Sequence, residues 1–182
     1  MKIRRPRYED AARIAEVHVR TWKQTYEHLL PAGFFTDDHA RGRNELWSRI
    51  LAEPQGKWSV HVAEVAGELV GFAMADAAHP TGPGEPAQDR NGEPAVRELY
   101  TLYVLDSHHG TGAGQALLDA TVGHDPVGLW VAKQNPRAIA FYQRNGFVFT
   151  GEEKSDPSAP AITDARMIRS QRSAEARTLS AN

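Results

Sequence analysis

The chain has 182 residues, a formal net charge of −2 and no cysteine. That length favours one domain able to bury its own core, and the missing cysteines exclude disulfides, thiolate nucleophiles, cysteine zinc sites and iron–sulfur clusters. The near-neutral charge gives no general reason to expect a nucleic-acid partner. The basic start (Lys2, Arg4, Arg5, Arg7) lacks the apolar core of a signal peptide, and no apolar run approaches the roughly 18 residues of a membrane span. A soluble, cytoplasmic protein without a membrane partner is expected.

Ile3-Arg4 before Pro6 reads as a short first strand. Asp10 is a candidate N-cap for a helix in which Ala11, Ile14, Ala15, Val17, His18 and Trp22 recur at helical spacing; it runs to about Leu30 and breaks at Pro31-Ala32-Gly33. A second helix is predicted from about Asp38 to Ala52, followed by a turn at Glu53-Pro54-Gln55-Gly56. Trp58 to Val65 and Leu69 to Ala75, joined through Ala66-Gly67-Glu68, form an antiparallel hairpin. Residues 76–95 are rich in proline and glycine and nearly devoid of apolar side chains, the composition of a long loop, mobile or functional.

A central strand spans about Val96 to Leu105, then comes a glycine-rich loop and a helix to about Val122. Val127 to Ala132 is a further strand, and Pro136 opens a helix that Asn145-Gly146 ends. Phe147 to Thr150 and Ala161 to Ile168 are the last two strands, and the polar tail from Ser170 has little to bury. The order β-α-α-β-β-β-α-β-α-β-β defines a mixed α/β sheet, antiparallel through the hairpin and parallel where a helix connects strands.

The loop His109-Gly110-Thr111-Gly112-Ala113-Gly114 carries the chemistry. Strand, glycine loop and helix start together make an anion site, because glycines let the backbone approach closely and the first helical N–H groups lack internal partners. A P-loop needs Lys and Ser or Thr after its second glycine, where this chain has Gln115-Ala116. The dinucleotide fingerprint needs a further Gly or Ala where Gln115 or Leu117 stands, and it opens a βαβ unit rather than following a hairpin. A plain tight turn into a helix is the remaining alternative from the loop alone. His108-His109 does not read as a metal site, since adjacent side chains on an extended chain point opposite ways and no ligand set completes one.

With Leu102-Tyr103-Val104 before the loop and Asn135-Pro136-Arg137-Ala138-Ile139-Ala140-Phe141-Tyr142-Gln143-Arg144-Asn145-Gly146-Phe147 after it, the chain resembles the GNAT superfamily of acetyl-CoA-dependent N-acetyltransferases. Arg20 to Tyr26, Leu29-Leu30-Pro31 and the hairpin from Val62 to Phe72 fit the same resemblance, which covers about residues 1–169 as one domain. It implies a fold in which the central strand and the strand from Val127 run parallel but splay apart, with the pantetheine arm of acetyl-CoA in the gap. Leu102, Tyr103 and Val104 would pair with that arm. The amides from His109 through Gly110, Thr111, Gly112, Ala113 and Gly114 to Gln115 would hold the pyrophosphate. The family usually has Gln or Arg where this chain has His109, which carries full charge only when protonated. The resemblance also admits a homodimer and implies no metal.

Acetyl transfer to an amine needs a neutral nucleophile, a donor for the developing oxyanion and a proton for the departing thiolate. The resemblance makes Tyr142 that proton donor, where helical spacing alone also fits a core aromatic beside Phe141. It makes Glu98, on the central strand, the candidate base, the alternative being an ion pair with an arginine. Tyr100 shares its strand face with Glu98 by the period of two and is suited to a water chain. Asn135 corresponds to a cofactor-contacting asparagine, or else caps the helix at Pro136. Trp22 and Tyr26, four residues apart on one helix face, form an aromatic wall of the acceptor pocket or pack in the core. The expected reaction is direct acetyl transfer from acetyl-CoA to a primary amine of a small molecule or peptide. A CoA-binding sensor without turnover, or a transferase of another acyl group, are the alternatives.

Overall fold

The computed structural model describes residues 1–53, 57–76, 97–155, 157 and 159–170. Strands β1 (Lys2–Arg4), β2 (Trp58–Val65), β3 (Glu68–Asp76), β4 (Arg97–Val104), β5 (Val127–Ala132), β6 (Val148–Ser155) and β7 (Thr163–Arg169) form one sheet in the order β1-β2-β3-β4-β5-β7-β6. Helices α1 (Ala11–Tyr26), α2 (Asp37–Ala52), α3 (Ala113–Val122) and α4 (Pro136–Arg144) complete the mixed α/β architecture in the expected order. The loop expected over 76–95, apart from Asp76, the turn at 54–56 and the tail beyond Ser170 lie outside the described residues. Among the described residues, no helix is long and apolar enough to cross a membrane.

Strand β3 is buried along almost its whole length because helices cover both its faces. Phe72 and Met74 pack with Ile14, Val17 and Trp47 of α1 and α2 on one side. Ala73 meets Leu117 of α3 on the other, and Ala75 joins Leu118, Leu129, Tyr142 and Phe147 in a second core between the sheet and α3 and α4. The apolar positions predicted for α1 do form its buried stripe, with Ile14 fully buried.

Two details of capping differ from expectation. Asp10 makes no cap bond to α1; its carboxylate takes Nη1 and Nη2 of Arg4 at 2.6 and 3.0 Å and the Arg7 N–H at 2.8 Å. A forked guanidinium bond is stronger than a neutral amide contact, so the arginine wins the carboxylate. Helix α2 starts one residue early, at Asp37, because the Thr36 hydroxyl accepts the His39 N–H at 3.1 Å. Strand β6 runs on to Ser155 rather than stopping at Thr150. Its second half, Gly151-Glu152-Glu153-Lys154-Ser155, is an exposed edge with no apolar alternation to announce it.

The sheet has one parallel junction, and it closes only partly. β4 and β5 pair at Arg97↔Val127, Glu98↔Gly128 and Leu99↔Leu129 and no further. On its other side β4 stays paired with β3 up to Val104, but the register slips there: Leu99 faces Ala75 and Thr101 faces Met74, which leaves Tyr100 as an extra residue. A bulge of this kind bends its strand and raises its twist. The bend falls at the residue after the last β4–β5 pair, so Leu102 to Val104 keep β3 as a partner and leave a gap toward β5. This is the splayed strand pair that the sequence resemblance implies.

Candidate active site

The gap opens into a cleft of about 390 Å³. Its floor is Leu102, Tyr103 and Val104; one end is the loop with His108, His109, Gly110, Gly112, Gly114 and Gln115; its far wall is α4, with Asn135, Arg137, Ala138, Phe141, Tyr142 and Arg144. Thr21 and Thr25 of α1 close it from the opposite side.

The loop is shaped by its glycines. Gly110 and Gly112 have φ of 75° and 87°, the left-handed region that side chains resist. Gly112 is the N-cap of α3 and makes no side-chain cap bond. The first bond of the helix runs from the Ala116 N–H to the Gly112 carbonyl at 3.0 Å. The amides of Ala113, Gly114 and Gln115 therefore precede the ladder with no residue to cap them, at the positive end of the helix dipole. That is a ready anion site at one end of the cleft. Thr111 and Ala113 belong to the same loop but do not line the cleft: the Thr111 hydroxyl donates to the His108 carbonyl at 2.8 Å, and Ala113 is buried beneath the turn.

His109 does not present a charge to this site. Its Nε2–H donates to the Val104 carbonyl at 2.8 Å, tying the loop to the end of β4. That bond leaves Nδ1 as an unprotonated acceptor, buried and unpartnered. Burial lowers the imidazole pKa, with Arg137 adding to the effect. The ring is a neutral latch, and the expected side-chain contact to a phosphate is replaced by one to the backbone.

Tyr142 lies at the inner part of the cleft, between the rings of Phe141 (5.3 Å) and Phe147 (5.4 Å). Its pKa is raised, chiefly by burial and further by the neighbouring phenols of Tyr103 and Tyr26, so it stays protonated at neutral pH. Asn135 makes the helix cap that is one of its two readings, and it also lines the cleft. Its Oδ1 caps α4 by accepting the Ala138 N–H at 3.0 Å, and its Nδ2 donates to the Tyr26 hydroxyl at 3.3 Å while the residue lines the cleft.

Trp22 and Tyr26 do not line the cleft. They stand behind it: the Trp22 indole N–H donates to the Tyr103 hydroxyl at 2.9 Å, and the Trp22 and Tyr26 rings meet edge to face at 5.3 Å. Tyr100, turned out by the bulge, is 51% exposed and packs against Trp58 at 5.6 Å.

Glu98 also lies outside the cleft. Both its carboxylate oxygens accept from Nη1 of Arg166 at 2.6 Å, so the arginine ion pair is the alternative that prevails. Gly128, paired with Glu98 across β4 and β5, makes room for this arrangement: a Cβ there would stand 2.7 Å from Cζ of Arg166. Sequence reasoning missed Arg137 and Arg144, although their seven-residue spacing, about two helical turns, placed them on the same face of α4 as Phe141. Among the described residues, no group of three or more His, Asp or Glu side chains could hold a metal ion.

A splayed parallel strand pair, an anion-binding helix start at one end of the gap and a protonated phenol further in define an acyltransferase. Comparison with known proteins agrees. The family model described as Acetyltransferase (GNAT) family matches residues 22–147, and the chain belongs to that family. An uncharacterized N-acetyltransferase of Bacillus subtilis (strain 168), YuaI, is 32% identical over 149 residues, spanning 78% of this chain and 76% of that protein. A mycothiol acetyltransferase of Frankia casuarinae is 35% identical over 129 residues, 67% of this chain but only 34% of that longer protein. In fold, the chain is similar to the PaiA N-acetyltransferase of Thermoplasma acidophilum solved in complex with coenzyme A, with a TM-score of 0.61, 21% identity, and 93% of this chain and 98% of that one covered.

Proposed function

We propose that this protein transfers an acetyl group from acetyl-CoA to a primary amine by direct attack, with no covalent intermediate on the enzyme. The observation that carries the proposal is the cleft itself, with free helix amides at one end and the Tyr142 hydroxyl further in. The pyrophosphate takes the amides of Ala113, Gly114 and Gln115. The pantetheine arm lies along Leu102 to Val104, whose outer edge has no strand partner beyond Leu99. A β4 N–H at that edge faces the thioester oxygen, where charge develops as the amine adds. The tetrahedral intermediate then collapses, the C–S bond breaks, and the Tyr142 hydroxyl gives its proton to the thiolate. The chain carries no cysteine that could hold the acetyl group in between.

The proton on the incoming amine leaves through water in this scheme, because the Glu98 carboxylate is committed to Arg166. The acceptor is an amine of a small molecule or peptide. The test is acetyl-CoA turnover over panels of amines, followed by thiol release, with longer acyl-CoA donors as a comparison. Release of CoA with at least one amine class is expected. Tight CoA binding without turnover on any amine would favour a sensor instead. Gly112→Asp should abolish CoA binding through its negative charge, whereas Gly112→Asn, which tolerates the left-handed backbone, should keep a measurable part of it. Normal CoA binding by the Asp variant would sink the loop assignment.

A further inference from the structure

With the pantetheine arm in the gap toward β5, the sides of β4 are not equally open to an amine. Leu102 packs into the cores beneath α3 and α4, so that face of the strand is covered. Tyr103 packs instead with the cluster beneath α1 and α2, and its hydroxyl accepts the Trp22 indole N–H at 2.9 Å. An acceptor therefore approaches over the α1–α2 side of β4, where the rings of Trp22, Tyr26 and Phe34 gather.

A cation stands on that side. Arg43 of α2 is half-buried, with its guanidinium carbon 5.7 Å from the centre of the Trp22 ring. Among the described residues it forms no ion pair. Its charge reaches the groups around it. Burial lowers the imidazoles of His18 and His39, and Arg43 adds to both shifts. Burial raises the Tyr103 phenol, and Arg43 acts against that rise. Both imidazoles are neutral at pH 7, which leaves Arg43 as the positive group beside Trp22. Asp164 of β7 acts on the same phenol with the opposite sign. It pairs across the sheet with Ala132, which packs with Tyr26 and Trp22.

A guanidinium resting on an indole keeps its planar fork of N–H donors for a second partner. One such fork matches one carboxylate, and the negative charge of Asp164 nearby disfavours a dianion such as phosphate. We infer that the acceptor amine also carries a carboxylate, which Arg43 takes on the α1–α2 side of β4, with the amine end on the side of Tyr103 and Asp164. The inference rests on the acyl-transfer reading of the cleft and names the class of acceptor for it. An arginine packed on Trp22 for stability alone is the competing explanation.

The experiment measures acetyl-CoA turnover on pairs of amines of increasing chain length that end either in a carboxylate or in its carboxamide. The wild type, Arg43→Gln and Arg43→Lys are compared, with CoA titration and urea unfolding of each. A charge-assisted pair predicts that the wild type has a kcat/KM about ten- to a hundredfold higher for the best carboxylate than for its carboxamide. Arg43→Gln should lose that preference through a raised KM for the carboxylates, with the carboxamides little changed, and Arg43→Lys should recover part of it. CoA affinity should stay within about twofold in both variants, because Arg43 does not line the cleft. A wild type that acetylates the carboxamides as well as the carboxylates, or an Arg43→Gln variant that keeps the wild-type preference, overturns the inference and leaves acyl transfer intact. An Arg43→Gln variant that loses activity equally on both kinds of amine, with a lower urea midpoint, assigns Arg43 to packing and also overturns it. A wild type that binds CoA and acetylates neither kind overturns the acyl-transfer reading and the inference with it.

Discussion

Replacing Tyr142 by Phe removes one oxygen atom and little else. The ring is buried against Phe141 and Phe147, and those contacts survive the change. Tyr142 also lines the cleft, so unfolding free energy should shift by no more than about 1 kcal/mol. Catalysis should respond far more. Loss of a positioned general acid lowers a rate by at least about a hundredfold, equivalent to roughly 2.7 kcal/mol of transition-state stabilisation. The assay is steady-state thiol release from acetyl-CoA beside equilibrium titration with CoA. A fall in kcat is expected, with CoA affinity held within about twofold of the wild type because the pyrophosphate and pantetheine contacts lie elsewhere. The pH profile adds a check. Burial raises the phenol above its ordinary value of 10.0, so Tyr142 stays protonated through pH 9 and any alkaline fall in the wild-type rate below that has another source. The Phe variant should show the same alkaline limb at a lower plateau. An unchanged kcat, or a loss of CoA affinity matching the loss of rate, would refute the role given to this hydroxyl.

Acid should unfold the protein in two stages. Burial lowers the His18 pKa from 6.5 to about 3, so stability present above pH 6.5 should decline as pH falls below it and the unfolded chain takes up the proton first. Arg4 lowers the Asp10 pKa from 3.8 to about 2, so the stability it contributes is present above pH 3.8 and fades between there and pH 2. Urea titrations over this range should show Asp10→Asn losing only the second stage; an unaltered profile would contradict the Arg4 pairing. Gly71→Ala would place a Cβ 2.7 Å from the Tyr103 carbonyl and 3.0 Å from Cγ2 of Val104. Such overpacking should cost about 1–3 kcal/mol in urea unfolding and weaken CoA binding as well, because it displaces the floor of the cleft. Gly128→Ala should push the Arg166 guanidinium off Glu98 and cost a similar amount to Glu98→Gln, about 1–3 kcal/mol. The double variant should add little to either, since both changes break the same pair; full additivity of the unfolding energies would separate them.

The parts of this site legible in sequence are those whose signals are local. The glycine loop, the Asn135-Pro136 helix start and the order of strands and helices depend on residues near one another in the chain. Their physics, left-handed turns, caps and apolar periodicity, is short-range. What escaped depends on partners far away. Glu98 is claimed by Arg166, 68 residues later, and no spacing rule announces that pair. The bulge at Tyr100 has no glycine or proline to mark it; it exists because β3 and β4 must stay in register on both sides of it. His109 occupies the position expected for a phosphate contact, but its ring donates to the Val104 carbonyl instead.

The bulge and the latch together explain why one loop can serve as an anion site while the strand before it serves as a floor. Beyond Tyr100 the outer edge of β4 lacks strand pairing on the β5 side. Without a restraint, such an edge would tend to re-pair or fray. The His109 bond to Val104 holds the last residue of that edge, and the β3 ladder through Gly71↔Val104 holds it from the other side. The segment from Leu102 to Val104 is thereby held along its β3 side and pinned at its last residue, and it is open along the other side. In the proposed function the amide-bearing pantetheine arm adds itself there as the missing strand, and the neutral imidazole that secures the strand brings no charge to the phosphates. The loop amides of Ala113, Gly114 and Gln115 at the start of α3 are then the groups of this loop left to meet an anion.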